Sequence, residues 1–158
     1  MGRAAEKQKT TSRAAKEADL YSWAVHQSEL LRAGRLDEID SVAIAEEIDD
    51  VGSEEFHRLE AALRVSMLHV LKWDHQPGNR SRSWSLTIRE QRKRVERQLR
   101  KNPGLKARLD EAMDDAYDDA RLEAASETDL PLKVFPEIRP FAFAELMERP
   151  IPWPEDEG

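Results

Sequence analysis

The chain has 158 residues, no cysteine and a formal net charge of −7. That length suits one domain and buries roughly 70% of the surface its unfolded form exposes, so no disulfide or metal staple is required. The absence of thiols excludes cysteine nucleophiles and cysteine metal sites and fits a reducing cytosol, and no apolar run approaches the ~18 residues of a membrane span.

The first residues, MGRAAEKQKTTSR, carry charge with no apolar core behind them. They do not read as a secretory signal, and residues 1–15 are expected to form a flexible arm. Helical period then begins. Leu20, Trp23, Ala24, Gln27, Leu30 and Leu31 make one apolar face, and Gly34 stands where a helix stop belongs. Asp40 or Ser41 can cap a short helix with an inner face of Ile44, Ile48 and Val51, which Gly52 should end. Ser53 can cap a longer helix over 54–74, whose stripe is Phe56, Leu59, Leu63, Met67, Val70 and Leu71.

Pro77-Gly78 forbids continuation. The next helix spans 83–101, with Trp84, Ile88, Gln91, Val95 and Leu99 inside. Asn102-Pro103 reads as a helix start, leading to Leu105, Leu109, Ala112, Met113, Ala116 and Ala120, and the pattern fades near Ser126. Beyond it Pro131, Pro136, Pro140, Pro150, Pro152 and Pro154 alternate with apolar anchors at Phe135, Phe141, Phe143, Leu146, Met147, Ile151 and Trp153. One short helix fits 142–148. The expected fold is therefore all-α: a single-domain bundle of about five helices over 16–128, with a proline-rich tail, 129–158, packed on it.

Charge is distributed unevenly. Residues 72–108 hold 12 basic and 3 acidic groups, whereas residues 109–158 hold 4 basic and 15 acidic ones. If the helices of these two blocks lie antiparallel, Arg97 meets Asp110 and Arg94 meets Asp114, each exposed pair contributing about 0–1 kcal/mol. Nucleic-acid binding through the basic helix 89–101 is a weaker reading, because it needs a face that the acidic helix leaves bare. Carboxylates one turn apart, Asp114/Asp118 and Asp115/Asp119, lack the dense oxygen loop of a calcium site.

The stretch HVLKWDHQPGNRSRSWSLTIREQRKR, from His69, concentrates tryptophan and arginine at one helix–helix corner. Trp73 closes one stripe and Trp84 opens the next, so the two indoles should meet at one end of the bundle. Arg80 and Arg82 can stack on an indole and donate to the open carbonyls at the end of the preceding helix, with Glu46, Glu47, Asp49 or Asp50 as carboxylate partners. That is a structural brace. The alternative is a site in which Lys72, Trp73, Arg80, Arg82, Trp84 and Arg89 receive an anionic ligand or a partner's acidic segment.

The strings HVLKWDHQP, RSRSW and TIREQRKRV, with YSWAVHQSELLRAGRLDEID, AIAEEIDDVG and the later DDAR and FPEIRPF, resemble the bacterial family known as domain of unknown function 29. The likeness runs from about Asp19 to Met147. It implies a compact, all-helical cytoplasmic protein and supplies no reaction. The positions it nominates are Glu46, Glu47, Gly52, His69, Lys72, Trp73, Arg80, Arg82, Trp84, Arg89 and Arg92.

No Ser-His-Asp set, Gly-rich phosphate loop or HExxH motif is present. The expectation is a non-catalytic interaction or self-association module with no cofactor and no membrane contact, nucleic acid being a poor fit. A homo-oligomer would bury Trp23, Phe143 and Trp153. The enzymatic alternative is a small metal- or ligand-binding site built on His69 with Glu46 or Glu47.

Overall fold

A computed structural model describes residues 2–153 and shows an all-α protein, with no strand among the described residues. Six α-helices follow one another: α1 (Gly2–Ala18), α2 (Leu20–Arg32), α3 (Ser41–His75), α4 (Arg82–Lys101), α5 (Leu109–Thr128) and α6 (Phe143–Glu148). Pro154 of the expected tail lies outside the described residues. The chain groups into two compact units, Met1–Gly52 and Ser53–Gly158, and α3 runs through the boundary.

In the first unit, α1 covers the stretch expected to be a flexible arm. It has no apolar stripe and buries no residue. Five alanines favour the helix, and Lys16 ties it to Glu47 Oε1 at 2.7 Å. The turn to α2 is made by Asp19, whose carboxylate accepts the Ser22 amide at 3.0 Å. Trp23 anchors α2 on α1 by donating Nε1–H to Ser12 Oγ at 3.0 Å. Gly34 takes the left-handed conformation that a helix stop favours, with φ of 71°.

Asp40 caps α3 by accepting the Ala43 amide at 3.1 Å, and the Asp40 amide in turn donates to Gln27 Oε1 at 2.8 Å. That chain of bonds is why Gln27, a polar residue on the expected apolar face, is buried. Trp23 and Leu30 of that face are buried with it, but Leu20 and Leu31 are exposed, and so are Ile48 and Val51 of the expected inner face of the next segment.

The two helices expected at 41–51 and 54–74 are a single α3. Gly52 does not interrupt it, because an interior glycine costs about 1 kcal/mol relative to alanine, less than the hydrogen bonds a break would leave open. Its φ is not positive, and a Cβ built there meets nothing within 4 Å. Gly52→Ala is therefore expected to raise stability by about 0.5–1 kcal/mol, read as a shift of the urea midpoint.

The second unit holds the larger core. Leu59, Leu63, Met67 and Leu71 of α3, Ile88 and Val95 of α4, and Met113, Ala116 and Tyr117 of α5 are fully or almost fully buried. Phe135, Phe141, Leu146 and Ile151, from the proline-rich segment, belong to the same cluster. They are held by polar contacts as well: Tyr117 donates to Pro136 O at 2.7 Å, and the buried Ser85 hydroxyl donates to Ile151 O at 3.0 Å.

Asn102-Pro103 opens a 3-10 turn, Pro103–Arg108, and α5 begins only at Leu109. The Asn102 amide is drawn away from capping. It donates to Glu55 Oε2 at 3.0 Å, beside Gln98, which donates to the same carboxylate at 2.5 Å. These bonds, the Gln98 one first, hold the Glu55 carboxyl below its ordinary pKa.

The expected charge pairing of α4 with α5 is not formed. Arg94 pairs with Glu90 on its own helix at 2.7 Å, and Arg139 takes Asp114 at 2.9 Å and Asp110 at 3.9 Å. Glu123 and Glu127 of α5 reach Arg64 and Lys72 of α3. Four acidic groups of α5 thus pair with α3 and with the segment after α5, while Lys93, Arg94, Arg97, Arg100 and Lys101 remain exposed on α4.

Candidate functional site

The corner between α3 and α4 carries contacts between its own cations and indoles. Arg80 lies beyond the end of α3, after a 3-10 turn at Pro77–Asn79. Its Nε–H donates to Trp73 O at 2.9 Å and its guanidinium sits 5.0 Å from the centre of the buried Trp73 indole. It therefore satisfies an open helix-end carbonyl and covers an aromatic face with one group, as the brace reading expects.

Lys72 does the equivalent on the other indole. Its Nζ donates to Glu127 Oε2 at 2.6 Å and lies 4.7 Å from the Trp84 ring centre. The two tryptophans do not pair ring to ring; each carries a cation instead. Ser81 starts α4 by accepting the Trp84 amide at 3.2 Å.

Glu46 and Glu47 hold Lys16 of their own unit, at 3.4 and 2.7 Å. Asp74, next to Trp73, makes a bidentate pair with Arg149. Arg149 O in turn accepts Arg92 Nη2–H at 2.8 Å, and Arg92 Nε–H donates to Leu146 O at 2.8 Å. Burial, then the neighbouring charges of Arg149 and Arg89, pull the Arg92 pKa down. Sequence reasoning placed Arg92 among shared positions without a role; its partners are backbone carbonyls some fifty residues away, and no local pattern points to them. Arg82 and Arg89 lie on the exposed side of α4, and each is engaged.

His69 is half-buried, with Nδ1 2.9 Å from Val65 O, the turn before it on α3. It belongs to the second unit and Glu46 and Glu47 to the first. Among the described residues no group of three His, Asp or Glu side chains is placed to hold a metal.

Glu60, on α3, has a raised pKa, chiefly from desolvation and then from Asp115 and Asp119 on α5. A carboxyl whose folded pKa exceeds its unfolded one binds its proton more tightly when folded. Stability then falls as pH rises through that window, and the full penalty remains above it. Glu60→Gln should therefore stabilise the protein by some tenths of a kcal/mol at pH 7, the charge being largely solvated, and give no gain near pH 3. Urea unfolding at the two pH values measures the difference.

Taken together, the helices and their connections define an all-α protein. The chain belongs to the family described as Domain of unknown function DUF29, whose pattern matches residues 16–150. No curated protein and no solved structure matches it. No helix among the described residues is long and apolar enough to cross a membrane.

Proposed function

We propose that the protein is a non-catalytic, cytoplasmic protein-interaction module that works through the apolar surface of residues 20–51. One observation carries this reading. Leu20, Tyr21, Val25, Leu31, Leu36, Val42, Ile48 and Val51 are all exposed there, against only Trp23, Leu30 and Ala43 buried. A unit that exposes more large apolar side chains than it buries is stabilised by whatever covers it. Trp23, expected to be an interface residue, is instead part of this small core, hydrogen-bonded to Ser12. The expected homo-oligomer therefore rests on these side chains and not on that indole.

Ile48→Asp/Val51→Asp tests the reading, because both positions are about two-thirds exposed and need no refolding to accept charge. The variant is expected to lose a partner that co-purifies with the native chain, or its oligomer, with helicity unchanged by circular dichroism. Retention of that partner or oligomer by the variant would sink the reading.

A second reading has one observation in its favour. The cations of α4 are not covered by α5, which is the condition that polyanion binding requires. It predicts binding to a nucleic acid whose affinity falls steeply between 50 and 200 mM salt and is weakened by Lys93→Ala/Arg97→Ala. Salt-insensitive or absent binding removes it.

A further inference from the structure

We propose that the partner of the first unit is a second copy of the same unit, docked antiparallel, so that the basic start of α1 in each copy meets the acidic Glu46–Asp50 segment of the other. This rests on the interaction reading above and names its partner. The charge layout carries the argument. Residues 2–9 hold three basic groups and one acidic, whereas residues 46–50 hold four acidic and no basic ones. The unit is therefore self-complementary, as an isologous two-fold interface requires.

The orientation follows from which residues face each other within one copy. Ala5, Gln8 and Lys9 of α1 share a cavity with Asp37, Glu38 and Asp40. One to two turns further on, Lys16 Nζ reaches Glu47 Oε1 at 2.7 Å. α1 thus runs alongside the start of α3 in the same direction. Arg3, Lys7 and Lys9 sit at one end of the unit, and Asp49 and Asp50 sit past Glu47 at the other. Among the described residues, Lys7, Lys9, Asp49 and Asp50 take part in no ion pair. Their charges are unspent inside the copy, and an antiparallel neighbour brings opposite signs together at both ends.

Exposed apolar side chains are at hand for such an interface. A stable dimer covers about 800 Å² per partner, and five of the eight exposed side chains are more than half exposed. Ile44, Ile48 and Val51 recur at i, i+4 and i+7 on α3, a stripe suited to packing against another helix. Leu20 and Val42 line a cleft of about 720 Å³ between α1 and the start of α3, floored by Ala43 and rimmed by Lys9, Arg13, Glu46 and Glu47. A cleft with both signs on its rim favours a partner that also carries both.

The test is a charge exchange on the full chain, followed by light scattering after size exclusion. The native chain is expected at twice its 18.2 kDa mass. Lys7→Glu/Lys9→Glu alone places acid against acid, and Asp49→Lys/Asp50→Lys alone places base against base. Each should weaken dimerisation about 100-fold. An equimolar mixture of the two variants restores one native and one inverted set of pairs, so dimer should return in the mixture. All four positions are exposed and unpaired within the copy, so helicity should be unchanged throughout. A native dimer that tolerates either variant, or a mixture that stays monomeric, overturns the antiparallel charge pairing and leaves the interaction reading standing. A native chain that is monomeric at ~100 μM overturns the second-copy proposal; the Ile48→Asp/Val51→Asp comparison against a co-purifying partner then decides the broader reading by itself.

Discussion

Phe135→Ala is expected to destabilise the second unit by about 3–5 kcal/mol, a large share of the 5–15 kcal/mol typical of a folded domain. Phe135 is wholly buried and its ring centre lies 4.8 Å from that of His75 at the end of α3. Its carbonyl accepts Arg121 Nε–H at 3.0 Å. Truncation opens a cavity between α3, α5 and the following segment, and the 3-10 turn at Leu132–Val134 gives the chain little freedom to collapse into it. Val134→Ala, one residue earlier and 40% exposed, should change stability by less than about 0.5 kcal/mol. Urea titrations of the two variants, followed by circular dichroism, should show a large midpoint shift in the first and almost none in the second.

The second large effect is expected at Arg92. Methionine keeps most of its bulk but removes the donors to Leu146 O and Arg149 O. Hydrogen bonds from a charged group contribute about 1.5–3 kcal/mol each, offset in part because the variant no longer buries a charge. A net loss of about 2–4 kcal/mol is expected from these terms. Lysine should recover only part of it, since an ammonium lacks the planar fork that reaches two carbonyls at once. Because both acceptors flank the end of α6, loss of these bonds should also expose residues 143–150 to protease before the rest of the unit. Thermal unfolding and limited proteolysis of Arg92→Met and Arg92→Lys measure both effects. Equal stability of Arg92→Met and the native chain would show that the carbonyls find other donors.

The Arg80–Trp73 contact at the corner was legible because its chemistry is local. Trp73 and Arg80 lie seven residues apart, across a Pro-Gly break, so helix-end carbonyls, an indole and a guanidinium must meet there. The resemblance to the unknown-function family was legible for the same reason: its motifs are contiguous strings, and the family match over residues 16–150 agrees with them. Two readings failed where the deciding term was not local. Gly52 reads as a stop, yet one glycine is a small cost inside a 35-residue helix. Opposite charge on α4 and α5 suggested pairing, yet the acidic groups found Arg64, Lys72 and Arg139.

By itself the sequence determined that this protein is all-α, where its second unit keeps its core, and that no thiol chemistry is open to it. Periodicity and composition are properties of short windows, and burial at 3.6-residue spacing leaves little choice of element. Only the tertiary structure decided which carboxylate each arginine meets, and that Ile48 and Val51 face solvent. Those outcomes depend on how far each helix runs and which way it turns, and a charge or an apolar side chain has no means, within its own window, of specifying the partner that packing brings to it.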